Sequence, residues 1–211
     1  MTNHSVTVFG GAGFLGRYVV MKLARQGFQV KIACRKPDLA LRCKPMGDVG
    51  QITGISTNIR FDESVGAAII GSDSVVNLIG VLQSQGRQNF QALHVEGAAR
   101  IAKAASLASV KRLIHISAIG ADHNAIANYA QTKGLGEKAV KEAFPGVTIL
   151  RPSIVFGPDD NFFNKFAGLA RLTPALPLIG GGSTIFQPIY VGDVAEAVSV
   201  CLGQSKTSGN L

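Results

Sequence analysis

The chain reads as a doubly wound α/β fold, a parallel sheet with helices on both faces. Three observations predict it. Short apolar runs alternate with amphipathic stretches of about ten residues or more, the pattern of right-handed βαβ units. The strand-like runs are apolar almost throughout, as in a sheet covered on both sides. The first of them, SVTVF, ends in a glycine cluster that opens a helical pattern.

Residues 5–9 form the first expected strand. Over 14–25, Phe14, Leu15, Tyr18, Val19 and Leu23 recur at helical spacing, and Gly27 closes that helix. The second strand is expected over 29–33 and the third over 51–57. A short helix from Asp62 leads to a fourth strand over 74–79 (SVVNLI). A long alanine-rich helix covers 88–108, a fifth strand 112–117 (RLIHIS), and a helix over 127–143 stops before Pro145. The sixth strand begins at 148–150, and Arg151-Pro152 ends its regular part beside the expected ligand cleft.

After Gly157 the texture changes. Pro158, Pro174, Pro177, Pro188 and the run Gly180-Gly181-Gly182 break the periodicity, and only 161–172 and 194–202 look helical. Asp193 is placed to cap the second of these, with Glu196 three residues on. Asp159-Asp160 has no histidine or further carboxylate near it in sequence, so a helix cap is expected there and no metal. The division expected is 1–156 for the sheet domain and 157–211 for a smaller, truncated substrate-side lobe interleaved with it. Another strand is expected where the chain stops, soon after Gly209-Asn210, so the sequence reads as a fragment of a longer protein.

The chain has 211 residues, 46% hydrophobic and 16% charged, a globular composition with material for a sizeable core. The richest apolar stretches, 75–82 and 147–156, are too short for a membrane span or are interrupted by Asn77 and Arg151. A first strand starting at Ser5 leaves no room for a signal peptide. Cys34, Cys43 and Cys201 make no CxxC pair, which fits reduced thiols in a cytosol-like compartment. The net charge is +8, and eight of the cations lie before position 45 (Arg17, Lys22, Arg25, Lys31, Arg35, Lys36, Arg42, Lys44) against the single acid Asp38. Such a basic end suits a phosphorylated ligand or an anionic membrane, or is a solvated helix face. No motif for RNA or DNA is present, and nucleic acid is not an expected partner.

Gly10-Gly11-Ala12-Gly13-Phe14-Leu15-Gly16 satisfies GxGxxG between a strand and a helix within a βαβ unit. In that context the glycines let the backbone approach a pyrophosphate, whose charge rests on the helix N-terminus. This is the Rossmann signature for a nicotinamide dinucleotide. NAD-binding versions place an acid about 20 residues on to hold the ribose 2′-hydroxyl. Here no acid precedes Asp38, and Cys34-Arg35-Lys36 ends the second strand. An arginine there suits a 2′-phosphate, and Arg17 is placed to reach the same group. NADP(H) is therefore expected over NAD(H).

Tyr129-Ala-Gln-Thr-Lys133 puts a phenol and an ammonium one helical turn apart on one face. A nearby ammonium lowers a tyrosine pKa and suits it to acid–base work. With the glycine turn, VVNLIG, RLIHISAIGA, YAQTKGLGEKAV and ILRPSIVFGP, the chain resembles the extended or atypical, epimerase-like branch of the short-chain dehydrogenase/reductases over nearly its whole length. The resemblance implies Tyr129 and Lys133 as a catalytic pair, Lys133 also holding the nicotinamide ribose, and Ser117 as third member. It implies that Asn58, Ile59, Gly80 and Pro152 border the cofactor. The chain departs from the branch at Ala118, where a second, catalytic hydroxyl is usual. It departs again at Asn58, usually Asp, and at His94, often Asn and here expected to be structural.

A closer resemblance is to the family of NADPH-binding accessory subunits of respiratory complex I (NADH dehydrogenase) and their bacterial relatives. It is carried by GFLGRYVV, RCKPMGDVGQI, GEKAVKEAFP, LRPSIVFGPDDNFFNKFA and FQPIYVGDVA, of which 45–51 is the most discriminating. That resemblance implies a firmly held, structural cofactor, a partner in the respiratory complex, and a place on the cytoplasmic face of a bacterial inner membrane or the matrix side in a mitochondrion. Two other readings stay open: an active NAD(P)-dependent reductase, epimerase or dehydratase, and a redox sensor that changes partners with cofactor state.

Overall fold

Val6 and Val8 point to one face of the first strand, Thr7 and Phe9 to the other, and all four are fully buried. A strand covered on both faces belongs in the middle of a sheet. In the computed structural model, which describes residues 4–84, 86, 88–172, 181, 183, 185–204 and 207–210, that is where it lies. The strands β1 (Ser5–Phe9), β2 (Gln29–Cys34), β3 (Ile52–Ser56), β4 (Ser74–Asn77), β5 (Arg112–Ile116) and β6 (Thr148–Leu150) form one sheet. Their order is β3-β2-β1-β4-β5-β6 and every pairing is parallel. The order reverses between β1 and β4, and the crevice at their carboxyl ends is where such sheets take ligands.

Helices cover both faces. On one side lie α1 (Phe14–Arg25), a 3-10 helix (Pro37–Met46) and α6 (Val191–Gly203). They supply Val19, Val20, Leu23, Ala40, Cys43, Ala195 and Val198 to a core with Val6, Val8 and Ile32. On the other lie α2 (Asp62–Ile69), α3 (Gly97–Leu107) and α4 (Asn128–Ala143). There Val65, Ile69, Ile101, Ala105 and Val140 pack on Phe9, Val75 and Leu113. The buried hydroxyl of Thr7 donates to the Ala68 carbonyl, 2.9 Å, so the one buried polar side chain on β1 has a partner. Short β7 (Val155–Phe156) and β8 (Ile189–Tyr190) pair in parallel and flank α5 (Phe163–Leu172).

Four details differ from the sequence pattern. The 3-10 helix has no counterpart in a helical or alternating reading, because its buried side repeats every three residues: Ala40, Cys43, then the half-buried Met46. Pro37 at its first position fixes the entry angle. The long helix expected over 88–108 is wound as a π turn over Gln91–Glu96 before α3, which turns His94 inward. β4 stops two residues early because the Asn77 carboxamide accepts the Ile79 N–H, 3.1 Å. Asp193 does not cap α6. The helix begins at Val191 directly from β8, with Tyr190 at the cap position, and Asp193 lies inside the first turn. Glu196 pairs with Lys22 of α1 instead of closing a capping box. The expected breaks at Pro174, Pro177, Gly180 and Gly182 lie outside the described residues.

Arg151, just past β6, donates from Nε and Nη2 to the two carboxylate oxygens of Glu137 on α4, at 2.8 and 2.6 Å. The Glu137 side chain is 5% exposed and Arg151 35%. Removing the guanidinium strands a buried carboxylate. Arg151→Ala is therefore expected to destabilise the protein by on the order of 2 kcal/mol, read as a lower urea midpoint. Arg151→Ala combined with Glu137→Leu should recover much of the loss.

Candidate functional site

The site begins where β1 turns into α1. Gly10 has φ +81°, a backbone state that costs a side-chain-bearing residue but not glycine. Its carbonyl accepts the Gly13 N–H at 3.0 Å, and the Gly13 carbonyl accepts the Arg17 N–H at 3.0 Å. A Cβ at Gly16 would meet the Gly11 Cα at 2.6 Å and would overlap the Gly10 carbonyl oxygen. Gly13 takes the cap position with no side-chain cap, and the first turn holds no acid. The free amides of Phe14, Leu15 and their neighbours thus face the crevice with the positive end of the helix.

Beside this turn, the ends of β2 and β3 run in register, Cys34 opposite Ser56, and the Thr57 N–H donates to the Cys34 carbonyl at 2.9 Å. Arg35 and Asn58 therefore leave adjacent strand ends. Arg35 is exposed and has no ion pair among the described residues. Asn58 accepts the backbone N–H of Arg60 at 3.2 Å and its Nε at 3.3 Å. Ile59 is buried. Arg17 is held by Asp159, 3.1 Å away, so the guanidinium expected near Arg35 closes a contact between α1 and the segment after β7. The neighbouring Asp160 accepts N–H bonds from Phe162 (2.8 Å) and Asn164 (3.2 Å) at the entry to α5. Among the described residues no group of histidine, cysteine and carboxylate side chains is arranged for a metal.

The other half of the crevice lies past β4 and β5. Lys133, 5% exposed, donates to the Ile116 carbonyl at 3.1 Å. His115 and Ser117 flank that carbonyl, and alternation along the strand puts their side chains on one face. A Cβ at Gly80 would stand 3.3 Å from the Lys133 Nζ. The loop after β5 is tied to Pro152, whose carbonyl accepts the Ile119 N–H at 3.0 Å. Glycine turn, Arg35, Asn58, Gly80, Ser117, Tyr129, Lys133 and Pro152 thus lie along the carboxyl edge of one sheet.

Tyr129 sits among rings. Phe90 and His94 each meet it edge-on, at 5.8 and 5.5 Å between centroids, and Phe90 stacks on His94 at 5.2 Å. Burial pushes the Tyr129 phenol up from its ordinary value. His94 is buried and fully bonded. Nε2 accepts the Val81 N–H at 3.1 Å, so the proton is on Nδ1, which faces the Thr132 hydroxyl at 3.2 Å; that hydroxyl donates to Asn128 O at 2.8 Å. Burial, then the Lys133 charge, lower its pKa to about 4. His115 Nδ1 faces the Asn77 amide nitrogen at 3.1 Å, and its Nε2 has no partner. The same two causes, then His94, lower its pKa to about 3. Burial lowers Lys133 to about 8 against the opposing pull of Glu137.

A dinucleotide fits these residues. The Ser117 hydroxyl is buried with no partner, the Lys133 ammonium has one acceptor for three N–H bonds, and the α1 amides have none from a side chain. These are donors waiting for the acceptors of a ribose, an amide and a pyrophosphate. Sequence reasoning missed Phe90, Thr132, His115 and Arg60. Thr132 was in view inside YAQTK. The others carry no local signal, since their roles come from contacts across the crevice.

Residues 10–164 match a family described as NAD(P)H-binding. The chain is 36% identical over 205 residues to the mitochondrial NADH-ubiquinone oxidoreductase 40 kDa subunit of Neurospora crassa, covering 97% of this chain and 54% of that protein. It is 40% identical over 195 residues to the mitochondrial NADH dehydrogenase (ubiquinone) 1 alpha subcomplex subunit 9 of Mus musculus, covering 91% of this chain and 51% of that protein. It therefore spans about half the length of these relatives. Among solved structures it superposes on a putative NAD-dependent epimerase/dehydratase from Bacillus halodurans with a TM-score of 0.75, at 20% identity, over 98% of this chain and 91% of that one. That likeness speaks for the fold.

The buried bases make stability depend on pH with a definite sign. An unfolded lysine keeps its proton to about 10.5, whereas folded Lys133 releases it at about 8. Between those values the unfolded chain binds more protons, so stability of the nucleotide-free protein rises with pH across that window. Lys133→Met is expected to raise stability at pH 7 by about 3 kcal/mol and to flatten the rise, measured by urea unfolding at pH 7 and 9. His94 and His115 act with the same sign at acid pH, and their stabilisation is lost as pH falls from about 6.5 toward 3.

Proposed function

This chain belongs to the NAD(P)H-binding family, and from that premise we propose that it is the nucleotide-carrying part of an accessory or assembly subunit of respiratory complex I, holding NADPH as a fixed component. The observation that carries the reading is the setting of Tyr129. A tyrosine that works as acid or base needs its pKa lowered by a nearby cation. Here burial raises it, the hydroxyl has no hydrogen bond among the described residues, and the Lys133 ammonium is drawn to the Ile116 carbonyl. Ala118 stands where a second hydroxyl would help turnover. The complex I relatives agree with this reading.

On this reading the α1 amides and the glycine turn hold the pyrophosphate, Lys133 the nicotinamide ribose, Ser117 a polar group of the nicotinamide end, and Asn58 and Ile59 flank the adenine. Arg35 takes the 2′-phosphate and sets the preference for NADP(H). Bound NADPH would supply a hydride, and the ring cluster around Tyr129 keeps that reactivity idle. Residues 1–156 carry the nucleotide, and 157–211 open the lobe that completes the crevice. The protein works peripherally, on the matrix side in a mitochondrion or the cytoplasmic face of a bacterial inner membrane.

Denaturing the purified protein should release NADPH in stoichiometric amount, and the holo-protein should not oxidise it with carbonyl or nucleotide-sugar substrates. Turnover would replace this reading with that of an active reductase or epimerase, and release of NAD(H) would remove the role given to Arg35. Arg35→Glu is expected to weaken NADPH binding by on the order of a hundredfold while leaving NADH binding unchanged, read by calorimetric titration of each nucleotide.

A further inference from the structure

The 3-10 helix turns Ala40, Cys43 and, in part, Met46 toward the core and leaves its other side chains on the surface. Leu39 and Leu41 are 40% and 53% exposed, and Val49, in the turn that follows, is fully exposed. Lys36, Arg42 and Lys44 are exposed among them, and none has an ion pair among the described residues. Arg25 joins them across a groove of about 480 Å³ that also borders Pro45, Met46 and Asp48. Asp38 and Asp48 are the only acids in this stretch.

The platform is held firmly. The Gln51 side chain donates to the Ala24 and Phe28 carbonyls at 2.7 and 3.0 Å and accepts the Asp48 N–H at 2.8 Å. A Cβ at Gly54 of the edge strand β3 would meet the Ala40 Cβ at 2.8 Å. The loop therefore presents its apolar tips from a fixed base.

We propose that this surface, Lys36, Leu39, Leu41, Arg42, Lys44 and Val49, docks on an anionic lipid bilayer. Isolated aliphatic tips set among unpaired cations suit a headgroup layer, where the tips enter the acyl boundary and the cations stay with the phosphates. A protein partner would call for an apolar centre depleted in lysine, whereas here the exposed leucines alternate along the chain with Lys36, Arg42 and Lys44. The proposal rests on the peripheral-subunit reading for the membrane it meets, and its chemistry stands on these residues alone.

The test is co-flotation of the nucleotide-loaded protein with vesicles of phosphatidylcholine mixed with phosphatidylglycerol, against phosphatidylcholine alone. Binding to the mixed vesicles is expected, weakening as salt is raised. Each cation lost should weaken it roughly fivefold, so Arg42→Gln with Lys44→Gln should bind on the order of thirtyfold less well, and Arg42→Glu with Lys44→Glu less well still. Leu39→Gln with Leu41→Gln should lose binding with the net charge unchanged. Lys138→Glu with Lys141→Glu, the charge change of Arg42→Glu with Lys44→Glu on exposed positions of α4, should bind as wild type. Nucleotide released on denaturation reports folding and the carrier reading separately, and should match wild type in all variants. The proposal is overturned if the wild-type protein ignores the mixed vesicles, if the α4 variant loses binding equally, or if the leucine variant keeps it. It is also overturned if the 3-10 helix variants keep vesicle binding and lose only association with respiratory subunits, which would show a protein occupant.

Discussion

The contact between Gly16 and the backbone of Gly10 and Gly11 is the constraint from which the rest follows. It leaves no space for a side chain, so α1 starts hard against the end of β1 and its first amides open into the crevice. The same approach sets where α1 lies over the sheet. There Val19, Val20 and Leu23 can fill one core, and Lys22 meets Glu196 of α6. A helix that began further out would lose the anion site and the packing together. The two are one geometric fact, and for that reason the glycine turn is visible both as a fold signal and as a ligand signal.

The second organising feature is a polar floor built against the usual rules of a core. Lys133, His94, His115, Ser117, Asn77 and Thr132 are all buried at the carboxyl ends of β4 and β5. Their hydrogen-bonding needs divide sharply. His94, Asn77 and Thr132 are matched among themselves and with the backbone. Lys133, Ser117 and His115 Nε2 are left with spare donors. Unmatched buried donors each cost about 1–3 kcal/mol, and folds keep such arrangements chiefly where a ligand completes them. The matched set holds the loop carrying Gly80 and Val81 against α4. Of the unmatched set, the Lys133 Nζ stands against that loop, 3.3 Å from where a Cβ at Gly80 would be.

How much of this was legible follows from the range over which each signal acts. β1, α1 and β2 were readable because strand period, glycine turn and helix period sit within thirty consecutive residues. Tyr129 and Lys133 were readable because one helical turn fixes their relation. The 3-10 helix escaped because its period of three matches neither template. The π turn escaped because its cause is His94 reaching Val81 and Thr132, a contact made only after folding. Asp193 misled because its sequence has the form of a cap, while the chain enters α6 straight from a strand that pairs with β7. Arg17 was expected to reach the same phosphate as Arg35; in the fold it pairs with Asp159, 142 residues away.

The balance between holding a nucleotide and turning it over then rests on a few atoms. A pocket rich in donors gains when an acceptor-rich ligand enters, since each spare N–H or O–H finds a partner and the Lys133 charge loses part of its desolvation cost. Those gains are made in the ground state. Binding energy expressed in the ground state tightens the complex without lowering the barrier to reaction. Turnover would need matching gains at the reacting oxygen, from a phenol of lowered pKa and a second hydroxyl beside it. This chain has a phenol raised by burial between Phe90 and His94 and an alanine at 118. A nucleotide held by these donors would join the adenosine and nicotinamide halves of the crevice across the point where the sheet order reverses.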